Sequence, residues 1–403
     1  MHEPLRRSVI LAVLALGASV ALAAVSCSSD GSDGDADGSA PERSTTTTTA
    51  PASDGLRLNE IQVIGTHNSF HEAAPAEELA LLQALDPAQA AARIYAHPPL
   101  TTQFAEQGVR QIELDVYADA TGGLYADPAL RRQAGLGPLG DDVPEMAEPG
   151  TKVLHEQDVD YHSVCATLVA CVTELHEWSD ANPGHVPVAV YIQFKDGPLI
   201  FAVPDQAVPE RWTAEAMATL DAEIASVFDA DEVITPDDVR GDSASLEAAV
   251  LDGGWPTLGE SRGQVLFLML NAEPYRSIYL QAHPNLEGAT LFTNSQPGQS
   301  DASFVGVDDP VAEGSRITEL VAAGYLVRTR SDEPDAEART GDTARRDAAL
   351  ASGAHWVSTD HPTADSAREL YGTDYVVALP GSVAARCNPV TAPTDCDDAT
   401  VEP

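Results

Sequence analysis

The sequence predicts an α/β fold, a (β/α)8 TIM-type barrel with loop insertions. From Leu56 onward, short apolar runs rich in β-branched residues alternate with helix-like stretches, as buried parallel strands and crossover helices do. About eight such units over roughly 350 residues match the size of a barrel. A doubly wound open sheet is the alternative. That fold normally has a glycine-rich phosphate turn after its first strand, where this chain has Gly65-Thr66-His67-Asn68.

Seven strands and four helices can be assigned from the pattern of apolar residues. The predicted strands are Ile61–Gly65, Val109–Val116, Lys152–His155, Val186–Phe194, Gln264–Leu270, Gly324–Thr329 and His355–Ser358. The predicted helices are Ser163–Asp180, Thr213–Phe228, Ile317–Ala323 and the alanine-rich Thr340–Ser352. Residues 71–97 and 123–150 are rich in Pro, Gly, Ala and acidic residues, and they are interpreted as insertions.

Composition excludes several classes of protein. The chain has 403 residues, 63 of them acidic and 22 basic, and a net charge of −41. Without a basic surplus it cannot displace counterions from nucleic acid. A hydrophobic content of 43% argues against wholesale disorder, and a single long apolar run argues against a multi-span membrane protein. An acidic surface favours solubility and attracts divalent cations.

The N-terminus resembles an export signal. Arg6 and Arg7 precede an apolar run and the small residues before Cys27, so residues 1–26 are predicted to be a signal peptide. The stretch Ala24-Val25-Ser26-Cys27 resembles a bacterial lipoprotein box, which predicts that Cys27 is lipidated and becomes the first mature residue. A plain signal peptide is the alternative. We expect an extracellular, cell-surface protein that contacts the membrane through this anchor alone.

Residues 27–54 consist mainly of Gly, Ser, Thr, Asp and Pro, which predicts a disordered tether.

Residues 55–403 form the predicted barrel domain. Its four cysteines fall into two local couples, Cys165/Cys171 and Cys387/Cys396. An even number in an exported chain predicts two disulfides, and nearest-neighbour pairing is the simplest of three connectivities. A zinc site is the alternative, although neither couple has the usual two-residue spacing.

Polar residues follow six of the predicted strands, and the carboxyl ends of barrel strands meet at one mouth. Glu113 and Asp115 lie two apart on one strand and therefore face the same way, which suits a hard cation. His67 and His155, on separate strands, suit a general base and a general acid. The candidate phosphate and substrate contacts are Lys195, Arg328, Arg330 and Asp360. Histidines elsewhere, including His71 and His97, are interpreted as solvated or packing residues.

Two motifs resemble the phosphatidylinositol-specific phospholipase C superfamily. They are Gly65-Thr66-His67-Asn68-Ser69 and Gly108-Val109-Arg110-Gln111-Ile112-Glu113-Leu114-Asp115-Val116. Further stretches are similar to the bacterial calcium-dependent branch: Asp160 to Cys171, 178–183, 324–330, 349–354 and 358–360. The resemblance spans nearly all of Leu58–Pro362.

The resemblance implies a distorted (β/α)8 barrel that cleaves phosphatidylinositol, or a related phosphoinositide, to diacylglycerol and inositol 1,2-cyclic phosphate. By position, His67 is the general base on the inositol 2-hydroxyl and His155 the general acid. The implied cofactor is Ca2+. Its implied ligands are Asn68, Glu113 and Asp115, together with Gln193 where the family typically has Glu. Asp196 and Asp360 are the alternatives to Gln193.

Two other functions remain open at this stage. A glycerophosphodiester phosphodiesterase has the same barrel and a similar acid pair, although such enzymes usually begin with His-Arg-Gly where this chain has His67-Asn68-Ser69. A surface lipoprotein that uses the barrel only for binding is the second alternative, favoured by the change at Gln193. We expect a monomer whose partner is a phosphoinositide lipid at a membrane surface.

Overall fold

The computed structural model describes residues 52–199, 203–333 and 336–402. The predicted signal peptide, Cys27 and the tether as far as residue 51 lie outside the described residues. The strands are β1 Ile61–Thr66, β2 Gln111–Tyr117, β3 Lys152–Val153, β4 Val188–Phe194, β5 Val265–Met269, β6 Leu291–Thr293, β7 Phe304–Gly306, β8 Leu326–Arg330, β9 Trp356–Thr359 and β10 Ala385–Cys387.

Helices fill most of the connections between the strands. The α-helices are α1 Ala76–Leu85, α2 Pro87–Ala91, α3 Leu100–Ala105, α4 Ala129–Gln133, α5 Leu139–Asp142, α6 Leu168–Ala181, α7 Ala214–Ala225, α8 Pro236–Arg240, α9 Leu246–Leu251, α10 Leu258–Ser261, α11 Tyr275–Ala282, α12 Pro310–Ala323, α13 Ala336–Thr340, α14 Ala344–Ala351, α15 Ala364–Tyr371 and α16 Asp398–Val401. Short 3₁₀ helices are Ala52–Gly55, Leu58–Glu60, Pro144–Ala147, Ala230–Glu232, Pro284–Leu286 and Pro380–Ser382. Among the described residues, none of these helices has both the length and the apolar character that a bilayer-spanning helix needs.

Eight parallel strands form a nearly closed barrel, in the order β6-β5-β4-β2-β1-β9-β8-β7. The last gap is narrowed by a parallel bridge between Asn294, after β6, and Phe304 in β7. The predicted α/β barrel is therefore confirmed. The insertions at 71–97 and 123–150 hold α1, α2, α4 and α5, which were not predicted.

One predicted barrel strand was wrong. The run Lys152–His155 was expected to be the third parallel strand, but β3 is two residues long and runs antiparallel to β2, with Val153 opposite Val116. After the insertion that holds α4 and α5, the chain returns antiparallel beside the carboxyl end of β2. This pairing still brings His155 to the barrel mouth. The barrel strands β6 and β7 were missed because each has only three residues.

Successive side chains of β2 point alternately into the hydrophobic core and toward the barrel interior, where the polar site residues lie. Ile112 and Leu114 are fully buried in the main hydrophobic core, whereas Glu113 and Asp115 take the opposite face, toward the barrel interior. Below them the rings of Tyr191, Phe304 and Trp356 contact one another at 5.1–6.3 Å between centroids. These aromatic side chains fill the lower barrel, so the polar groups collect at its upper end.

The two ends of the described chain meet at the amino ends of the strands, opposite the mouth. Arg262, just before β5, lies 2.9 Å from Asp54 through its Nε and donates to the carbonyl of Val401 at 3.0 Å. Here β10 pairs antiparallel with β1. As predicted, Cys387 and Cys396 form a disulfide in this segment, and Cys165 and Cys171 form the second at the start of α6.

Candidate active site

The turn after β1 carries two of the predicted site residues. Near its end, β1 lies so close to β2 that it needs a glycine, because a Cβ atom at Gly65 would lie 1.8 Å from Gln111 Oε1. Asn68 follows with a φ of 44°, in the left-handed region that Asn tolerates better than most residues. Ser69 then bonds β2, its amide donating to the carbonyl of Glu113 at 3.0 Å. His67 and Asn68 are thereby held against Glu113.

His67 is oriented by a carboxylate on the neighbouring strand. Its backbone amide continues the pairing of β1 with β9 by donating to the Thr359 carbonyl at 3.0 Å, which brings the ring next to Asp360. Nδ1 of His67 lies 2.9 Å from Asp360 Oδ1, and Nε2 lies 3.9 Å from Glu113 Oε1. Burial, and then Arg330, lower the pKa of His67 well below its ordinary 6.5, so the ring is neutral at pH 7.

Like His67, His155 is oriented by a carboxylate, which belongs to Asp160. A tight turn, in which Glu156 and Asp160 exchange backbone hydrogen bonds, returns Asp160 to the histidine. The Nδ1 of His155 lies 2.6 Å from Asp160 Oδ2. The side chains of both histidines are about one-fifth exposed, 21% for His67 and 20% for His155, so both rings reach the open mouth.

Asp160 is surrounded by donors. Besides His155, it contacts His71 Nε2 at 2.9 Å and Arg93 Nε at 3.1 Å. Although burial opposes the shift, His71 and His155 hold the pKa of Asp160 below its usual range, so the carboxylate stays charged. Arg93 also lies 3.0 Å from Glu156.

The three predicted oxygen ligands are buried, and Asn68 and Asp115 each retain an oxygen atom without a donor. Asn68, Glu113 and Asp115 are each at most 1% exposed. Asn68 donates to the Tyr95 hydroxyl at 2.9 Å, but its Oδ1 accepts no hydrogen bond from any described residue. Oδ1 of Asp115 likewise accepts no hydrogen bond from any described residue, whereas its Oδ2 lies 3.0 Å from Lys195 Nζ. Burial raises the pKa of Asp115 even though Lys195 opposes the shift.

These unsatisfied oxygens fit a bound cation. A buried oxygen without a donor is costly unless something positive approaches it, and carboxylate and amide oxygens are the ligands that Ca2+ prefers. Gln193 lies opposite Asp115 in the register of β2 and β4, so its side chain projects from the same face. Asp196, one alternative to Gln193, accepts from the hydroxyl of Tyr275 at 2.7 Å, and Asp360, the other, binds His67.

Each predicted cationic contact is already paired with a carboxylate. Lys195 lies 3.0 Å from Asp115, Arg328 lies 2.6 Å from Glu113, and Arg330 lies 3.2 Å from Asp360. The Lys195 side chain is 26% exposed, whereas those of Arg328 and Arg330 are 2% and 9% exposed. The arginines therefore lie inside the site wall, and Lys195 is the most accessible of the three.

Several residues of the site were not predicted from the sequence. Asp160 and Asp308 orient other groups: Asp308 accepts from Arg328 at 2.5 Å. Arg93 and Tyr95 come from the segment interpreted as an insertion, and His71, expected to be a solvated or packing residue, is fully buried beside His155. Only Asp160 had a signal, because it begins one of the family-like stretches.

Comparison with known proteins identifies the family of the chain and supports its fold. A family model described as Ca2+-dependent phosphoinositide phospholipase C matches residues 56–389. No curated protein matches the chain. Among solved structures, a calcium-dependent phosphoinositol-specific phospholipase C from Pseudomonas sp. is 17% identical with a TM-score of 0.50, over 84% of this chain and 97% of that one.

A Ca2+-dependent phosphatidylinositol-specific phospholipase C from Streptomyces antibioticus is 18% identical with a TM-score of 0.46, over 76% of this chain and 95% of that one. The Pseudomonas structure agrees with the barrel fold. The family match covers most of the chain. This protein therefore belongs to the Ca2+-dependent phosphoinositide phospholipase C family.

Proposed function

We propose that this protein cleaves phosphatidylinositol, or a closely related phosphoinositide, to diacylglycerol and inositol 1,2-cyclic phosphate, and that it requires calcium. One observation carries the proposal: two partly exposed histidines share a barrel mouth, and each has its Nδ1 bound to a buried carboxylate. Both rings therefore present Nε2 to a substrate, as acid-base catalysis by two histidines requires.

His67 acts as the general base. Its Nδ1 hydrogen is donated to Asp360, and its lowered pKa keeps Nε2 unprotonated at neutral pH. Nε2 takes the proton of the inositol 2-hydroxyl while that oxygen attacks phosphorus. The new P–O bond closes a five-membered cyclic phosphodiester.

His155 acts as the general acid. With its Nδ1 donating to Asp160, the acid form of His155 is the imidazolium, whose second hydrogen, on Nε2, is the one transferred. That proton passes to the diacylglycerol oxygen as its bond to phosphorus breaks. Exchange of protons with solvent then returns both histidines to their starting states. Each proton transfer is worth roughly 10²–10⁴-fold in rate.

Asn68, Glu113 and Asp115 would hold calcium, with the amide oxygen of Gln193 as a neutral fourth ligand. The unsatisfied oxygens of Asn68 and Asp115 support this assignment. When bound, calcium would supply positive charge that stabilises the phosphate and favours the alkoxide form of the attacking hydroxyl. Lys195 is the candidate for direct phosphate contact, while Arg328 and Arg330 position Glu113 and Asp360.

Phosphorus NMR of the products from phosphatidylinositol vesicles tests the proposal. We expect the cyclic phosphate signal in calcium and no turnover in excess chelator. Release of glycerol phosphate would instead identify a glycerophosphodiester phosphodiesterase. Absence of turnover, in a protein that binds the vesicles, would favour the binding-only alternative.

We also propose that the mature chain is lipid-anchored at the cell surface through Cys27, because the lipoprotein box follows an apolar export signal. Mass spectrometry of the mature N-terminal peptide tests this directly. We expect a diacylglyceryl-modified Cys27 as the first residue. An unmodified peptide that begins downstream of Cys27 would contradict the anchor, and a Cys27→Ala variant should be released into the medium.

A further inference from the structure

His71 lies behind the proposed general acid and has no assigned role in the reaction. The residue is fully buried, and it follows the β1 turn instead of ending a strand. Its ring stacks on Tyr95, with 4.4 Å between centroids, and stands edge-on to His155 at 6.0 Å. It is therefore next to the catalytic machinery but out of reach of a substrate.

Both ring nitrogens of His71 face acceptors. Nδ1 lies 3.0 Å from the carbonyl oxygen of Tyr95, which can only accept, so Nδ1 carries a hydrogen. Nε2 lies 2.9 Å from Oδ1 of Asp160. The other oxygen of Asp160 already faces His155 at 2.6 Å and Arg93 at 3.1 Å, as expected of an ionised carboxylate. Nε2 therefore also donates, and His71 is an imidazolium.

Asp160 is therefore held through both of its carboxylate oxygens. His71 holds Oδ1, and Oδ2 is left to receive the Nδ1 hydrogen of His155. Without His71, Oδ1 would be a buried carboxylate oxygen that has lost its donor, which is costly. The carboxyl group would then turn or take up a proton, and in either case His155 would lose its fixed acceptor.

We propose that His71 is a positioning residue for the acid half of the reaction. As a buried imidazolium it fixes Asp160, and Asp160 holds His155 in the orientation that presents the Nε2 proton to the leaving oxygen. Arg93 supports the same carboxylate and is itself paired with Glu156. The inference rests on the proposed function, because it assigns His155 as the proton donor.

The kinetic test compares two substrates that differ in their need for an acid. Phosphatidylinositol has a poor alkoxide leaving group, whereas the 4-nitrophenyl ester of inositol 1-phosphate has a good one that needs little protonation. In His71→Leu we expect turnover of the lipid to fall about 10–100-fold and that of the aryl ester less than about threefold. His71→Gln, whose amide can still donate toward Asp160, should recover part of the lipid rate.

His355 offers a matched control at the opposite end of the barrel. It is also a buried histidine with both nitrogens bonded, to the Val327 amide and the Asn59 carbonyl, each at 3.0 Å. His355→Leu should alter the two substrates by the same factor, through stability alone. An equal loss on both substrates in His71→Leu would overturn the proposal.

Nitrogen-15 NMR of histidine-labelled protein gives a readout that is independent of turnover, and its wild-type spectrum does not depend on the folding of any variant. In the wild type we expect hydrogens on both nitrogens of His71, and in His71→Gln a changed Nδ1 signal for His155. A wild-type His71 with a bare Nε2 overturns the proposal, as does an unchanged His155 signal. If the wild type releases no cyclic phosphate, the proposed function fails and these spectra alone decide the role of His71.

Discussion

The two proposed catalytic histidines have the same immediate partner but different surroundings. Each donates Nδ1 to a buried aspartate, at 2.9 Å for His67 and 2.6 Å for His155. Behind Asp360 lies Arg330, at 3.2 Å, and a second carboxyl group, Asp332, which accepts from the Asp360 amide at the same distance. Burial, and then Asp360, raise the pKa of Asp332 to about 6.

Behind Asp160 there are two cations, His71 and Arg93. The difference separates the two roles. On the base side, burial and then Arg330 and Arg328 lower the pKa of His67 itself, which keeps that ring ready to accept a proton. On the acid side, His71 and then His155 lower the pKa of the Asp160 carboxyl group against the effect of burial. One histidine–aspartate pair can thus serve either half of a reaction, according to where the neighbouring positive charges lie.

The largest expected effect comes from removing either histidine. His67→Ala and His155→Ala should each lower turnover of phosphatidylinositol by about 10²–10⁴-fold. The aryl ester separates the two, because only His155→Ala should spare it. Thermal unfolding serves as the control: both side chains are partly exposed, so the melting temperatures should change little. Near-normal lipid turnover in either variant would contradict its assigned role.

The second prediction concerns pH and two buried histidines of opposite character. His97, on the base side, donates to or accepts from no charged group in the described chain, and its Nε2 contacts the His67 carbonyl at 3.0 Å. Burial lowers its pKa from 6.5 to about 4. Since the unfolded chain takes up this proton first, stability falls as pH drops from 6.5 to 4. The loss from this group is about 3 kcal/mol, a factor of a few hundred in the unfolding equilibrium constant.

The contribution of His71, on the acid side, to the free energy of unfolding changes with pH in the opposite direction. Asp160 raises its pKa against the effect of burial, so its contribution is fully present below pH 6.5 and is lost as pH rises through the folded-state value. Denaturant unfolding between pH 4 and 8 should show a flatter acid limb for His97→Gln and a larger loss at low pH for His71→Gln. Parallel curves for the two variants would contradict this difference.

The smallest expected effect concerns the calcium ligands that lie between the two sides. Glu113→Gln and Asp115→Asn should raise the calcium concentration at half-saturation by about tenfold or more, whereas Gln193→Glu should lower it by a few-fold, because an added carboxylate strengthens attraction for the ion. Calorimetric titration of the unliganded protein measures this without substrate. An unmoved midpoint in Gln193→Glu alone would remove residue 193 from the ligand set.

The barrel could be predicted because buried parallel strands carry apolar runs, as in β4 and β5. The three-residue strands β6 and β7 could not, since so short a run has no periodicity to detect. The expectation that polar residues at the carboxyl ends of the strands meet was correct, because one mouth holds His67, Glu113, Asp115 and His155. His155, however, follows a short strand that pairs antiparallel with β2, where a parallel barrel strand was predicted.

The supporting residues could not be predicted for a different reason. Tyr95 and Arg93 come from a segment without strand or barrel-helix patterning, and a histidine such as His71 has the same appearance in sequence whether it is solvated or buried. Their roles depend on hydrogen bonds between positions distant in the chain, such as His71 to Asp160. Those contacts are fixed only by tertiary packing.

The meeting of both chain ends at the amino side of the strands has a consequence for orientation. Asp54 and Val401 contact Arg262 at the pole of the barrel opposite the catalytic mouth. The described chain begins at this pole, so a lipid on Cys27, as proposed, would pull on the side of the barrel that faces away from the mouth. A protein anchored in that way would be expected to meet lipids of a facing membrane more readily than those of the leaflet that anchors it.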